Sequence, residues 1–123
     1  MKFAMSTTPL RSIRIDDLPL SNIAREFVGA DHGDVGVCVI LVDAPPGRGP
    51  SLHRHPYEEV FITLEGQATF FLGEDGDQRD VGPGEILVVP AGQWHGFVNS
   101  GDGALRQIDI HVSPSFDTEW LRT

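Results

Sequence analysis

The chain has 123 residues, a length that suits one domain able to bury its own core. Hydrophobic residues make up 40% and charged residues 22%, ordinary globular values that exclude a disordered chain. The formal charge of −9 argues against nucleic acid and anionic membrane surfaces, which need Lys and Arg at the contact, and leaves small molecules as the expected partners.

In chain order, residues 1–12 read as an N-terminal tail leading to a first strand near Ile13-Arg14-Ile15. Ile23–Val28 suits a strand or one helical turn, and Gly29–Asp34 is a turn by composition that leaves His32 exposed. Val35–Val42 is an apolar, β-branched run containing Cys38, the only cysteine and by its setting a small buried hydrophobe. The irregular loop from Ala44 to Pro50 follows. Strands are then expected at 53–55, 59–64, 67–72, 78–81, 85–89, 95–99 and 104–112, separated by breakers such as Glu65-Gly66, Gly73–Gly76 and Gly82-Pro83-Gly84. After Ser113-Pro114 only Phe116–Leu121 offers a helical turn, in what reads as a C-terminal tail, 113–123. With 14 glycines and nine prolines scattered between short apolar runs, the fold class is all-β, a sandwich or barrel whose core spans about 13–112 of a single domain. The chain offers no internal disulfide, no long apolar run and no basic-then-apolar leader, which predicts a cytoplasmic protein.

Alternation along the strands carries two further expectations. If Glu59, Phe61 and Thr63 point inward, then Val60, Ile62 and Leu64 form an apolar outer face, as do parts of Ile86–Val89, and a homodimer covering these faces is expected. In the last strand Gln107, Asp109 and His111 alternate with Ile108, Ile110 and Val112; the apolar set is expected in the core and His111 outside, the alternative being a His111 turned inward as a general base beside a metal.

Four residues carry the chemistry: His53, His55, Glu59 and His95. Two histidines at i, i+2 on a strand share one face roughly 7 Å apart, close enough to serve one ion. Glu59 follows the turn at Pro56-Tyr57 and His95 follows the turn at Pro90–Gly92. Three imidazoles and a carboxylate suit one divalent transition metal ion per chain, with Mn, Fe, Co, Ni, Cu and Zn undistinguished by ligand type. An octahedral ion so held keeps two open positions for a substrate, or for a substrate and O₂. Glu58 points away if Glu59 is a ligand, Arg54 alternates outward, and Tyr57 and Trp94 beside the ligands read as packing residues. Asn99 shares the face of His95 and reads as a residue that ties down a turn. Arg48 and Arg106 are expected to be solvated. No phosphate-binding glycine loop, dinucleotide fingerprint, H-E-x-x-H helix, G-x-S-x-G elbow or C-x-x-C pair is present.

The series Gly47-x5-His53-x-His55-x3-Glu59-x6-Gly66, and after 17 residues Gly84-x5-Pro90-x-Gly92-x2-His95-x3-Asn99, resembles the two signature motifs of the cupin superfamily at every defining position. The resemblance implies a double-stranded β-helix, or jelly-roll barrel, with a metal inside it on His53, His55, Glu59 and His95, and frequent dimerisation. It implies no single reaction, because cupins with this ligand set include dioxygenases, decarboxylases, isomerases and lyases. Retention of Glu59 tells against thiol dioxygenases, and retention of all three histidines against metal-free sugar epimerases. The expected function is a metal-dependent enzyme acting on a small oxygen-bearing molecule, dioxygenase-like in one form; the alternative is a non-catalytic metal-dependent binding or sensing module. The catalytic residues are left unassigned.

Overall fold

A computed structural model describes residues 3–122. The strands are β1 (Leu20–Ser21), β2 (Ala24–Val28), β3 (Cys38–Ala44), β4 (His53–Arg54), β5 (Glu59–Glu65), β6 (Ala68–Leu72), β7 (Asp77–Val81), β8 (Ile86–Val89), β9 (His95–Asn99), β10 (Leu105–His111) and β11 (Glu119–Trp120). They form two antiparallel sheets, ordered β1-β2-β3-β10-β5-β8 and β11-β4-β9-β6-β7. The pairings β3·β10, β4·β9, β5·β8 and β6·β7 are nested, as in one long hairpin closed at Gly73–Gly76. Rolling that hairpin up also brings β10 against β5 and β9 against β6, the connectivity of a jelly roll.

The interior has two ends of different character. At one end Ala44, Ala68, Phe70, Val81 and Leu105 are buried in a continuous apolar core. Phe61, Phe70 and Phe97 stack edge to face and tilted, with ring centroids 4.8 to 6.1 Å apart, and close the middle of the barrel. Beyond Phe61 and Phe97 the same inner faces turn polar: Glu59 on β5, His95 on β9 and His111 on β10 are all buried. Asn99 ties the opposite end, its Nδ2 donating to the carbonyls of Ala44 and Gly103 and its Oδ1 accepting from the Gly101 N–H. Gly66 turns β5 into β6 at φ +87°, where a Cβ would lie 2.4 Å from the Ala104 carbonyl oxygen.

Several expectations are corrected. Ile13–Ile15 forms no strand: Ile13 and Ile15 remain exposed, and a 3-10 turn at Ile15–Asp17 precedes β1. Gly29–His32 is likewise a 3-10 turn, and His32 is half-buried, its ring stacked on Phe27 at 4.5 Å. The segment after His111 is no helical turn and no loose tail. It folds back so that β11 pairs with β4, which otherwise has a neighbour on one side only. An Arg54–Glu119 ion pair at 2.8 Å fixes that register, and Arg54 also lies over the Trp94 ring.

The largest correction concerns β10. Gln107, Asp109 and His111 face the interior, each at most 3% exposed, while Ile108 and Ile110 are half-buried outside and Val112 is exposed. The cause is register: Gln107, Asp109 and His111 lie opposite Thr63, Phe61 and Glu59, and cross-strand partners share a face. A bulge between Arg106 and Gln107 sets that phase by leaving Leu64 without a partner. The inward polar groups then satisfy one another, Thr63 Oγ1 donating to Gln107 Oε1 at 3.5 Å and Gln107 Nε2 donating to Asp109 Oδ1 at 2.8 Å. The apolar outer face of β5 and β8 is as expected, with Leu64, Ile86 and Val88 more than half exposed in the single chain.

Candidate metal centre

His53 and His95 are direct cross-strand partners on β4 and β9, so their rings lie 4.4 Å apart on the same face. His55, just beyond β4, brings its ring within 5.0 Å of His53 and 5.3 Å of His95. Glu59 enters from the opposite sheet at the start of β5. One ligand atom from each of the four residues lies within 4.8 Å of every other, and all four side chains are buried.

The hydrogen bonds fix what each ring presents. His53 Nδ1 lies 2.7 Å from the Ser51 carbonyl, His55 Nδ1 2.9 Å from that of Asp117, and His95 Nδ1 2.9 Å from that of Gln93. A carbonyl oxygen only accepts, so in each ring Nδ1 carries the proton, and a neutral ring then presents a bare Nε2 lone pair. His55 Nε2 and His95 Nε2 stand 3.2 and 3.1 Å from the same oxygen, Glu59 Oε1. Bare nitrogens facing a carboxylate oxygen repel unless a positive charge lies between them, either a proton on a ring or a metal ion. His55 Nε2 is also buried without a hydrogen bond in line with it. The donor set therefore fits a borderline divalent cation in both chemistry and direction.

Charges agree with this arrangement. Burial, reinforced by the neighbouring histidines, pushes His53 down to about 4, so its imidazole is neutral and free to ligate at ordinary pH. Burial alone would raise Glu59, but contacts from His111, His55 and His95 outweigh it and hold the carboxyl well below the usual range.

Alternation and composition alone favoured His111 outside and Tyr57 as packing; the structure instead sets both behind these four residues. His111 Nε2 stands 3.0 Å from Glu59 Oε2, out of line for a straight hydrogen bond, while its Nδ1 lies 2.7 Å from the Tyr57 hydroxyl. Burial raises Tyr57 to about 12, so the phenol keeps its proton and donates it to His111 Nδ1. Tyr57 thus does more than pack. The refolded C-terminal segment supplies the Asp117 carbonyl to His55, the Trp120 ring 4.8 Å from His53, and Phe116 edge-on to His111. Glu58 is exposed and faces away, as alternation requires.

A cavity of about 370 Å³ reaches the centre from between β2, β3, β10 and this segment, with His55, His111, Glu26, Asp109, Phe116 and Trp120 among its walls. A larger groove of about 530 Å³, lined by Ile15, Arg25, Asp43 and Arg106 among others, contains none of the four candidate ligands.

Asp109 gives a prediction that needs no metal. Burial, then the charge of Glu59, raises its carboxyl well above the ordinary 3.8. Between those two values the folded chain binds more protons than the unfolded chain, so this group's contribution to stability falls as pH rises. Asp109→Asn keeps the oxygen that accepts from Gln107 and cannot ionise. On metal-free protein, calorimetric Tm differences between variant and wild type should move in the variant's favour from pH 5 to pH 8; a gap moving the other way would contradict the buried neutral acid.

The cupin domain model matches residues 40–111. Among curated relatives, the protein YrkC of Bacillus subtilis is 32% identical over 82 residues, covering 63% of this chain and 44% of its own length. Auxin-binding protein 4 of Zea mays is 33% identical over 89 residues, covering 67% and 44%. An acireductone dioxygenase of Rhodopseudomonas palustris is 45% identical over 47 residues, covering 37% and 28%. The chain thus spans less than half the length of these relatives. Among solved structures, a double-stranded β-helix protein of Klebsiella pneumoniae superposes with a TM-score of 0.72 at 21% identity, covering 94% of this chain and all of the other. The polyketide cyclase RemF of Streptomyces resistomycificus gives 0.75 at 19%, covering 94% and 87%. At these identities the likeness concerns the fold, a double-stranded β-helix. With both signature motifs in place and the domain model matching more than half of its length, the chain belongs to the cupin family.

Proposed function

We propose that His53, His55, Glu59 and His95 hold one divalent transition metal ion, and that the protein is a metal-dependent enzyme acting on a small oxygen-bearing organic molecule. The observation that carries this reading is the convergence of His55 Nε2 and His95 Nε2 on Glu59 Oε1 while all three ligand histidines are tied at Nδ1 to backbone carbonyls. When bound, such an ion polarises an oxygen donor of the substrate and, if redox-active, supports chemistry with O₂.

The chain's own residues do the rest. Three Nδ1 anchors hold the rings in one tautomer and one direction. Tyr57 and His111 back Glu59 Oε2, leaving Oε1 turned to the centre. Phe61 lies 5.7 Å from His95 and, with Phe70 and Phe97, keeps water from reaching the centre through the barrel floor. Substrate then enters from the side of His55 and His111. The 47-residue likeness to an acireductone dioxygenase supports a dioxygenase as the finer form of this reading.

Elemental analysis of untagged protein tests it. Wild type should carry near one equivalent of a transition metal per chain, and a His53→Ala/His95→Ala variant should carry none. Iron or manganese would direct assays to O₂ consumption, and nickel or zinc to isomerase or lyase chemistry. Wild type that holds no metal and takes none up on titration would overturn the reading.

A further inference from the structure

Four buried histidines surround the candidate centre, and the partner of each Nδ1 sorts them into two kinds. His53, His55 and His95 face backbone carbonyls there, which only accept, so each ring keeps its proton on Nδ1 and presents a bare Nε2. His111 differs. Its Nδ1 faces the Tyr57 hydroxyl at 2.7 Å, a group that can donate or accept.

The surroundings of Tyr57 decide which it does. Besides His111, its oxygen has the Asp117 N–H at 3.4 Å and His55 Nδ1 at 3.3 Å, the latter carrying the proton that the Asp117 carbonyl accepts at 2.9 Å. Both are donors. Among the described residues the phenol hydrogen therefore has one acceptor, His111 Nδ1. That nitrogen is then bare, and the neutral His111 ring carries its proton on Nε2, the reverse of the other three rings. The Nε2–H faces Glu59 Oε2 at 3.0 Å, off the straight line of an ideal hydrogen bond.

Register brings this ring to the centre: His111 lies opposite Glu59 on β5, and its ring is 4.6 Å from that of His55. With a bare Nε2 it would be a further candidate ligand. With an Nε2–H it is a donor to Oε2, and Glu59 is left with Oε1 toward His55 and His95. We propose that His111 is a positioning residue, a fourth buried imidazole that Tyr57 holds in the reverse tautomer, so that its Nε2–H grips Glu59 Oε2 and the ring stays out of the ligand set. The ligand set rests on the metal reading above; the tautomer does not.

Long-range ¹H–¹⁵N correlation spectra of the imidazole rings read the tautomers, at neutral pH, on metal-free protein and on protein loaded with diamagnetic Zn²⁺. In metal-free wild type, His53, His55 and His95 should show Nδ1–H and His111 alone of the four Nε2–H. Zinc should shift three Nε2 signals and leave the His111 Nε2–H in place. Glu59→Gln removes the pull of the carboxylate, yet His111 should keep Nε2–H because Tyr57 still donates; adding Tyr57→Phe should release the ring to both tautomers. In zinc competition against a chelator, His111→Leu should lose about 10–100-fold in affinity, the range for an outer partner of a metal ligand. His111→Gln, which restores an N–H donor without a ring nitrogen, should recover most of that loss. A proton on His111 Nδ1 in metal-free wild type, a fourth Nε2 shifted by zinc, a single tautomer surviving in the Glu59→Gln/Tyr57→Phe variant, or a His111→Gln loss equal to that of His111→Leu would overturn the proposal. Wild type that takes up no zinc would sink the metal reading and with it the exclusion from a ligand set, while the hold of Tyr57 on the tautomer stands or falls on the metal-free spectra.

Discussion

Glu59→Gln should lower transition-metal affinity by on the order of 100-fold or more, beyond the roughly 10–100-fold that outer partners of metal ligands usually carry. The substitution changes one oxygen to an NH₂ and removes the only negative charge that, among the described residues, these histidines face at contact distance. In the wild type the Nε2 atoms of His95 and His55 stand 3.1 and 3.2 Å from Glu59 Oε1, a spacing that a positive charge between them stabilises. A neutral amide at this position donates to the bare nitrogens itself, so the metal-free variant keeps its fold and loses its attraction for a cation. Competition against a chromophoric chelator measures the affinity, and thermal unfolding of the metal-free protein checks the fold. Wild-type affinity in a folded variant would remove Glu59 from the ligand set. In the wild type, protons compete with metal for the same nitrogens, so affinity should also fall as pH is lowered. His53, held down to about 4 by burial, stays a neutral donor through that range.

Ending the chain after Ser115 should cost about 10–100-fold in metal affinity although it removes no proposed ligand. The deleted segment provides the carbonyl that fixes the His55 tautomer, the Trp120 ring against His53, and β11, which pairs β4 on its outer side. Without it His55 can place its proton on either nitrogen, and β4 keeps a single register contact, His53 to His95. The remaining strands retain their ladders, so circular dichroism should still show a folded β protein, with a lower Tm. Trp120→Ala should give a smaller loss, since the Asp117 carbonyl stays in place. A truncated, folded chain that binds metal as wild type does would show that the C-terminal segment merely covers the centre. These two changes separate the charge that attracts an ion from the scaffold that aims the rings.

Legibility in the sequence followed the range of the interactions. Strand periodicity and Gly/Pro punctuation are local, and they marked nearly every strand from β4 to β10 within a residue or two. The i, i+2 spacing of His53 and His55 is local too, since alternation alone puts both on one face. Glu59 and His95 joined them through the motif spacing, and the structure brings all four together. Asn99 also behaved as its position implied, hydrogen-bonding the turn that follows it.

What the sequence left open depended on which strand lies beside which. On amphipathicity alone, Ile108 and Ile110 belong inside and His111 outside, a sound rule where one face of a strand meets an apolar core. It fails here because β10 lies between β3 and β5, where the register sets His111 opposite an inward Glu59, and a buried carboxylate needs a buried partner more than the core needs another isoleucine. The segment 113–122 misled for a similar reason: its value lies in pairing with β4, and nothing within its own composition records that partner. The sequence by itself therefore determined the all-β class, the cupin motifs and the four candidate ligands, because these rest on spacing along one or two strands. Only the tertiary structure decided the role of His111 and Tyr57 and the anchoring of His55 by Asp117, because each joins residues more than fifty positions apart through a register that no local pattern encodes.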